Sequence, residues 1–223
     1  MLYDSFVREV NEELRQEKIY TFWKRYGVFI IVALVMFVLT IVAYQIFSHR
    51  KLNKENAISD AFMKSIELIE EHHFGEAMQQ LENVKASNLG GYPFLARLRE
   101  ASLMSERGDD AQAVKLFDAV ASHKKAPLLL QKVAKVRAAY ILVDTGTLDD
   151  VEKRVKDMAN DIDPMRMSAR EALGLAAYKA AKMDEAAYYF QKNAEESLLG
   201  LGITDRAKVM LELIQATGKT NKR

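Results

Sequence analysis

The chain of 223 residues contains no cysteine, and its charges cancel to a net +1. Without cysteine it cannot use a thiolate nucleophile or form a disulfide, although this absence suits oxidising and reducing compartments equally well. No basic block stands out in the sequence, so a nucleic-acid-binding surface is not expected. Alternating apolar and polar residues, the pattern of a β-strand, are also missing, whereas apolar spacings of three and four residues recur and predict helices.

Signatures of catalysis are missing as well. The sequence has no GxSxG, no phosphate-binding glycine loop and no dinucleotide fingerprint. Among the four histidines, only those in the run EEHH at 70–73 suggest metal ligation. Adjacent residues on a helix point about 100° apart, however, and no second cluster has ligand spacing. We therefore expect a protein that is not an enzyme and that holds no metal or other cofactor.

One long apolar segment is present near the N-terminus. Residues 26–48, YGVFIIVALVMFVLTIVAYQIFS, carry no formal charge and would extend about 34 Å as a helix. A bilayer hydrocarbon core is about 30 Å thick, and aromatic residues crowd both ends of the segment, so the pattern indicates a membrane span. A buried core helix rarely runs so long without charge, and a signal peptide has a shorter apolar run that ends in small residues. We expect a single-pass anchor that is retained, with the lipid bilayer as one partner.

Basic residues near the span bear on its orientation. Residues 1–25 contain five lysines and arginines, and the stretch just after the span contains three. The positive-inside rule then favours a cytoplasmic N-terminus by a narrow margin. Within residues 1–25, Phe6, Val10 and Leu14 have four-residue spacing. This spacing fits a short amphipathic helix that contacts a partner or the membrane surface, and equally a simple soluble flank.

A period of about 36 residues follows the span. The repeated segments are GEAMQQLENV (75–84), AQAVKLFDAV (111–120), DDVEKRVKDM (149–158) and DEAAYYFQKN (184–193). Each places a small or β-branched residue four before a larger apolar one: Ala77/Leu81, Ala113/Phe117, Val151/Val155 and Ala186/Phe190. Twelve residues before each first member stands another small residue, which would let two helices cross closely: Ser65, Ala101, Ala139 and Gly174.

Glycine and proline mark the proposed turns. Gly108 and Gly146 stand five residues before the first members of the second and third copies. A left-handed glycine there would end one helix, and Asp109, Asp110 or Thr147 would cap the next. The first and fourth copies have other residues in that place: His72 and Ala181. All three prolines fall between one proposed helix pair and the next, where proline is tolerated: Pro93, Pro127 and Pro164.

The pattern resembles the tetratricopeptide repeat, whose helix A carries a small residue at its eighth place and whose helix B carries Ala and Phe four apart. The aromatic residue expected near the start of helix A is missing. The resemblance implies an all-α fold, with one N-terminal transmembrane helix followed by a tetratricopeptide-like solenoid of about four helix pairs. A C-terminal helix near 204–217 would cap its apolar edge. A generic antiparallel helical array is the alternative.

In such a solenoid the A helices line the concave face. The repeat register places eight apolar side chains on that face as a candidate protein-binding groove: Phe62, Ile66, Leu95, Leu98, Val136, Tyr140, Leu175 and Tyr178. An exposed apolar strip would suit extended hydrophobic segments of other proteins. The alternative is ordinary core, because a register error of one residue would turn these side chains inward.

The whole layout resembles the YfgM-like family of bacterial inner-membrane proteins, which combine a short charged tail, one span and a tetratricopeptide-like periplasmic domain. The matching stretches are FVREVNEELRQEKIYTFWKRYG, GYPFLARLREASL, KVAKVRAAYILVDTG and SAREALGLAAYKAAKMDEAAYYFQKNAEE. The resemblance implies an ancillary subunit of the Sec translocon in the inner membrane, with its N-terminus cytoplasmic and its C-terminal domain periplasmic. The implied partners are translocon subunits, a membrane-anchored periplasmic chaperone of the prolyl-isomerase-like type, and unfolded or newly translocated proteins. A tethered scaffold for cell-envelope assembly or division is the alternative.

These expectations divide the chain into five segments. They are a cytoplasmic amphipathic tail (1–25), the transmembrane helix (26–48), a juxtamembrane linker (49–57), the repeat domain (58–218) and a basic disordered tail (219–223).

Overall fold

The computed structural model describes residues 2–196 and 202–216, and within these ranges the regular structure is helical throughout. The chain divides into two compact units, Met1–Ala57 and Ile58–Arg223. The α-helices are α1 (Leu2–Glu70), α2 (Phe74–Lys85), α3 (Tyr92–Glu106), α4 (Asp110–Ala121), α5 (Leu128–Thr145), α6 (Leu148–Val155), α7 (Arg166–Lys179), α8 (Met183–Ala194) and α9 (Ile203–Ala216). A 3-10 turn, Lys156–Met158, extends α6.

The first unit is the N-terminal part of α1. By length and composition this helix can cross a membrane, since its most apolar window has a mean hydropathy of 2.8. Large apolar side chains along this segment are exposed, as they are on a lipid-facing helix. The hydroxyl of Thr40 donates to the carbonyl of Met36 at 2.8 Å, so the helix itself satisfies this polar group. Residues 49–57, the predicted linker, are helical as well. The side chains of Phe6, Val10 and Leu14, and the predicted tail at 219–223, lie outside the described part of the structure.

The second unit is an array of antiparallel helix pairs, as predicted. Residues from Ile58 to Glu70 of α1 pack with α2, and α3/α4, α5/α6 and α7/α8 form the next three pairs. Each second helix also packs against the first helix of the following pair, so the pairs stack into a continuous array. We call the first helix of each pair its A helix and the second its B helix. Helix α9 packs mainly on α8 and begins and ends one residue before the predicted cap at 204–217.

The core of the array consists of the spaced residues that defined the repeat. The four small-to-large pairs are all buried, with Phe117 and Phe190 the largest of the fully buried side chains. The small residues on the A helices, Ser65, Ala101 and Ala139, are completely inaccessible to solvent. Because a small side chain brings two helix axes close together, these positions fix where A and B helices cross. The predicted period of about 36 residues is therefore confirmed.

Three of the four turns within helix pairs end the A helix in the same way. His72, Gly108 and Ala181 have φ values of 62°, 84° and 60°, in the left-handed region. In each turn the following N–H bonds back to the carbonyl five residues earlier, at 2.8 to 2.9 Å, as from His73 to Leu68. This is the Schellman ending of a helix, and the predicted place of the turn glycine is correct even where the residue is not glycine.

Gly146 is an exception to the prediction of left-handed turn glycines. Its φ is −115° and its ψ is −160°, so its backbone is extended. Glycine is needed there for space, because a Cβ would lie 2.8 Å from Cδ2 of Leu142 and 3.1 Å from the Leu142 carbonyl oxygen. Thr147 then starts α6 with a capping box, in which it and Asp150 each accept a backbone N–H of the other.

The turns between pairs also follow the sequence. Pro93 lies in the first turn of α3, Pro127 is the N-cap residue of α5, and Pro164 comes just before α7. Of the two predicted N-cap candidates before α4, Asp109 is the cap, since its carboxylate accepts the N–H of Gln112 at 3.1 Å, and Asp110 is the first residue of the helix. The prolines therefore lie at the boundaries between pairs, where each one restricts the backbone at the start of an A helix.

Candidate binding groove

Two cavities adjoin each other along the A helices of the array. The first has a volume of about 580 Å³ and lies between α3, α5 and the start of α7. Val133, Val136 and Ile141 of α5 supply apolar wall, and Ser102 and Ser105 of α3 supply hydroxyls. The second cavity, of about 790 Å³, lies between α5, α7, α8 and α9. Its apolar lining includes Leu175, Phe190, Ile203, Val209 and Met210.

Tyr140 and Ser168 line both cavities, so the two form one continuous depression. We call it the A-helix groove. An A helix contributes to the groove from each of three successive pairs, and α9 closes one end of it. The lining combines apolar walls with hydroxyl groups and charged side chains, among them Glu106, Arg137 and Asp205. Such a lining suits a ligand that presents apolar side chains and a polar backbone, as an extended polypeptide does.

A carboxylate is buried at the centre of the groove. Glu171 of α7 is 4 % exposed. The hydroxyl of Tyr140 donates to Glu171 Oε2 at 2.5 Å. Arg206 of α9 forms a two-pronged contact with the same carboxylate, from Nε to Oε1 at 2.6 Å and from Nη2 to Oε2 at 3.0 Å. Three helices far apart in sequence thus share one polar cluster, which we call the Tyr140–Glu171–Arg206 triad.

The triad changes the ionisation of its members. Burial, then the hydrogen bond to Glu171, raise the pKa of the Tyr140 phenol well above its usual range. The hydrogen bond to Glu171 likewise raises the pKa of Arg206. Tyr140 therefore stays protonated as a donor and Arg206 stays charged. Since both donors are directed at Glu171, the triad joins α5, α7 and α9 at this point of the groove.

A second polar cluster fixes the beginning of α7. Arg170, 2 % exposed, donates from Nε to the carbonyl of Ala159 at 2.9 Å and from Nη1 to Glu196 at 3.1 Å. Arg166 adds bonds of 2.7 and 3.0 Å to the two oxygens of Glu196. These contacts lock the start of α7 against the segment after α8, so the groove wall is preorganised.

The eight predicted groove residues are half-buried or buried by the chain's own helices. Three of them line the groove: Val136, Tyr140 and Leu175. The other five line neither cavity: Phe62, Ile66, Leu95, Leu98 and Tyr178. Phe62 meets the ring of Tyr92 edge-on, and Leu98 and Tyr178 pack against core clusters. These positions therefore do not form a fully exposed apolar strip, and the apolar lining of the second cavity lies where α5, α7, α8 and α9 meet.

Glu171 and Arg206 were not predicted from the sequence. Glu171 directly precedes the apolar run ALGLAA (172–177) on the buried side of α7, and a charge beside such a run is the signal that could have singled it out. Arg206 lies 35 residues later, one repeat period on, yet nothing local pairs it with Glu171. Within the described residues, no three His, Cys, Asp or Glu side chains come together as a metal site would require.

Comparison with known protein families identifies one domain family that matches this chain. The profile of the tetratricopeptide repeat-like domain matches residues 20–199, which is most of the chain. The chain belongs to the tetratricopeptide repeat-like domain family. The match takes in the apolar segment and the helices through α8 and ends before α9. No curated protein and no solved structure matches the chain. Tetratricopeptide-like domains are typically non-catalytic scaffolds for protein–protein interaction, and the A-helix groove of this repeat domain is the candidate surface for such contacts.

Proposed function

We propose that this tetratricopeptide-like protein is a membrane-anchored, non-catalytic binding protein of the bacterial inner membrane, ancillary to the Sec translocon. Its N-terminus would be cytoplasmic and its repeat domain periplasmic, where it would assist newly translocated proteins together with a membrane-anchored chaperone of the prolyl-isomerase-like type. The layout of tail, span and repeats, which resembles the YfgM-like family, supports this assignment. The observation that carries the binding function is the A-helix groove, whose lining combines apolar side chains with the Tyr140–Glu171–Arg206 triad.

The groove favours extended segments over folded surfaces. Its two cavities together run across three pairs, and each is lined by apolar side chains beside hydroxyls of Ser102, Ser105 or Ser168. A newly translocated chain offers apolar side chains and unpaired backbone groups at the same time. Arg137 lines the first cavity, is exposed and forms no ion pair with any described residue, so it is available to a backbone carbonyl or carboxylate of the client.

Site-specific crosslinking in cells tests this proposal, because the natural chain has no cysteine. Arg137→Cys places a single thiol in the groove. Lys115→Cys places one on an exposed position of the B helix α4, away from the groove, as a matched control. With a thiol-reactive photocrosslinker, we expect Arg137→Cys to capture many translocating proteins during export and Lys115→Cys to capture few. Equal capture by both variants would rule out the groove as the client site.

The translocon assignment has a separate test. Replacing residues 1–50 with an unrelated anchor of the same topology removes the native tail and span but keeps the repeat domain. After crosslinking and mild solubilisation, we expect translocon subunits to copurify with the native chain and to be lost with the exchanged anchor. Recovery of envelope-assembly or division proteins at fixed stoichiometry, without translocon subunits, would instead support the tethered scaffold.

A further inference from the structure

Large apolar side chains project into solvent on the side of the repeat domain where one helix pair joins the next. The joining loops, at 86–91, 122–127 and 159–165, lie beside the starts of the A helices, and we call this side the joining edge. Leu128 and Leu129, in the first turn of α5, are 66 % and 53 % exposed, and Ile162 is 93 % exposed. Lys132 of α5 binds Asp163 at 2.6 Å, which places the Ile162 loop beside the first turns of α5.

The exposed side chains are held outward by ordered backbone. The side-chain amide of Gln131 donates from Nε2 to the carbonyl of Ala126 at 2.8 Å, and Ala126 itself is buried, so the turn before Leu128 is fixed. The N–H of Ile162 donates to Asn160 Oδ1 at 3.1 Å, and Asn160 Nδ2 donates to the carbonyl of Asp157 at 2.7 Å. The exposure of these three apolar side chains is thus a built feature of the edge.

The same edge has an excess of cations. Arg97, Lys124 and Lys125 are exposed and make no ion pair with any described residue. Arg97 and Lys125 line a cavity of about 570 Å³ together with Lys85, His123 and Phe94. Lys85 is neutralised by Glu82 at 2.6 Å and Glu100 at 2.7 Å, so the free charge in the cavity comes from Arg97 and Lys125.

Carboxylates at this edge offset only part of that excess, since Glu195 is the one exposed there without an ion pair among the described residues. Asp163 is paired with Lys132, Asp157 with Lys135 at 3.0 Å, and Asp161 with Arg170. At the opposite edge, formed by the turns within pairs, acidic residues predominate: Glu70, Glu71, Asp109, Asp110, Asp144, Asp149 and Asp150. The repeat domain therefore presents a cationic and apolar edge on one side and an acidic edge on the other.

We propose that the joining edge docks on the surface of an anionic phospholipid bilayer. Leu128, Leu129 and Ile162 enter the headgroup and acyl boundary, and Arg97, Lys124 and Lys125 contact lipid phosphates, two of them from the walls of the 570 Å³ cavity. A soluble anion would need the cations but not the three apolar tips, whereas a lipid surface needs both. The acidic edge faces away from the bilayer because like charges repel.

The proposal rests on the membrane anchoring proposed above, which keeps the domain near a bilayer and makes docking intramolecular. Each lysine or arginine near an anionic surface raises the docked-to-free ratio about five-fold. The contact weakens as salt rises, because exposed charges are screened beyond about 10 Å at 0.1 M ionic strength. Docking would hold the A-helix groove at a defined height and orientation over the membrane.

The test uses the full chain in lipid nanodiscs with one fluorophore on an introduced cysteine. Leu128→Cys and Thr145→Cys label the first and last residues of α5, so the same helix provides the site and its matched control. The discs contain phosphatidylcholine alone or with phosphatidylglycerol, plus a lipid that carries a quencher in its acyl chain. We expect strong quenching at position 128 in the phosphatidylglycerol discs, little at position 145, and a loss at position 128 as salt is added.

Two further variants distinguish a loss of docking from a loss of folding. Lys125→Gln should lower the docked-to-free ratio at position 128 about five-fold in phosphatidylglycerol discs. With the fluorophore on Ile162→Cys, the double change Leu128→Ser and Leu129→Ser should reduce quenching while leaving the circular dichroism spectrum unchanged. Equal quenching at positions 128 and 145 overturns the proposal. So does quenching at position 128 that is the same with and without phosphatidylglycerol and is unchanged by Lys125→Gln. Coelution of the chain with the discs measures insertion of the anchor separately. A failure of the proposed membrane anchoring is therefore distinguished from a failure of the repeat domain to dock.

Discussion

The ring of Phe190 occupies the space where a side chain at position 174 would lie. A Cβ placed on Gly174 would come within 2.9 Å of Cζ and 3.0 Å of Cε1 of that ring. Phe190 is 1 % exposed and belongs to the core cluster that also holds Ala186, Ala207 and Ile214. The ring packs in this cluster and also borders the second cavity of the groove, so a side chain at 174 would push it out of its core contacts, and the α7–α8 crossing depends on glycine at 174.

Gly174→Ala should accordingly destabilise the repeat domain. Alanine favours a helix interior by about 1 kcal/mol over glycine, but overpacking a close-packed core costs about 1–3 kcal/mol. We expect a net loss of roughly 1 kcal/mol, seen as a lower Tm for the detergent-solubilised chain by circular dichroism. Gly75→Ala in α2 is the matched control, because its added Cβ meets no atom within 4 Å and should be neutral or stabilising. If Phe190→Leu fails to relieve the effect of Gly174→Ala, the clash is not its cause.

Replacing Ala181 with glycine should have the opposite effect on stability. Ala181 ends α7 with φ at 60°, where its Cβ crowds the neighbouring carbonyl, and this conformation costs an L-residue about 1 kcal/mol. Glycine removes that strain and keeps the bond from Lys182 N–H to the Ala177 carbonyl at 2.9 Å. The flexibility that glycine adds to the unfolded chain offsets part of this gain, so Ala181→Gly should stabilise the fold by roughly 0.5 kcal/mol and raise the Tm by about a degree or two.

Ala180→Gly is the control for that change. Ala180 has a φ of −76°, which alanine adopts without strain. Glycine there only adds flexibility to the unfolded chain, so the Tm should fall. A rise in Tm for both variants would show that left-handed strain at Ala181 is not the reason.

Local spacing predicted the helices of this protein because each repeat fixes its own contacts. Ala77 and Leu81, or Ala186 and Phe190, lie on one face of one helix, and that face is visible in the sequence. The turn at His72 was predicted in position even though histidine gives no hint of a positive φ. Gly146 shows the limit of this reasoning, because its tight approach to the Leu142 carbonyl looks identical in sequence to a left-handed turn.

The candidate site was less predictable than the fold. Register alone placed Val136, Tyr140 and Leu175 on the side of the A helices that lines the groove. The partner of Tyr140, however, is a carboxylate 31 residues away, held in turn by an arginine another 35 residues on. Such a triad depends on how three helices stack, and a single helix carries no pattern that reports it.

Replacing either charged member of the Tyr140–Glu171–Arg206 triad, Glu171 or Arg206, should lower the free energy of unfolding by unequal amounts. The Glu171 side chain is 6 % exposed, whereas that of Arg206 is 59 % exposed. Arg206→Ala leaves a buried carboxylate with one hydrogen bond, and we expect a loss of about 2 kcal/mol. Glu171→Gln leaves an arginine that can turn into water, so the loss should be about 1 kcal/mol or less. Urea unfolding of the detergent-solubilised chain measures both.

A surface charge on the same helix as Arg206 provides the control for both variants. Lys208→Ala, a change on the exposed side of the same helix, should leave stability nearly unchanged. Equal losses from Arg206→Ala and Glu171→Gln would contradict the view that burial of Glu171 sets the asymmetry.

The cluster at the start of α7 predicts a loss of stability in acid. Hydrogen bonds from Arg166 hold the pKa of Glu196 below its ordinary value of 4.5. Burial alone would raise the pKa of Asp163, but bonds from Lys132 and the Met165 N–H outweigh it and lower that pKa below 3.8. A group with a lowered pKa in the folded state stabilises the fold above its unfolded pKa, and this stabilisation is lost as the pH falls through the folded pKa.

We therefore expect the Tm to be level above about pH 5 and to fall steadily below the ordinary carboxylate pKa values. Glu196→Gln should lower the Tm near neutral pH and flatten part of the acid decline, because the titrating carboxylate is absent. Glu195→Gln, one residue earlier and exposed, should reproduce the natural curve apart from a small constant offset. An unchanged acid slope in Glu196→Gln would mean that the decline arises from other carboxylates, and that the Arg166–Glu196 contact contributes little to the stability of α7.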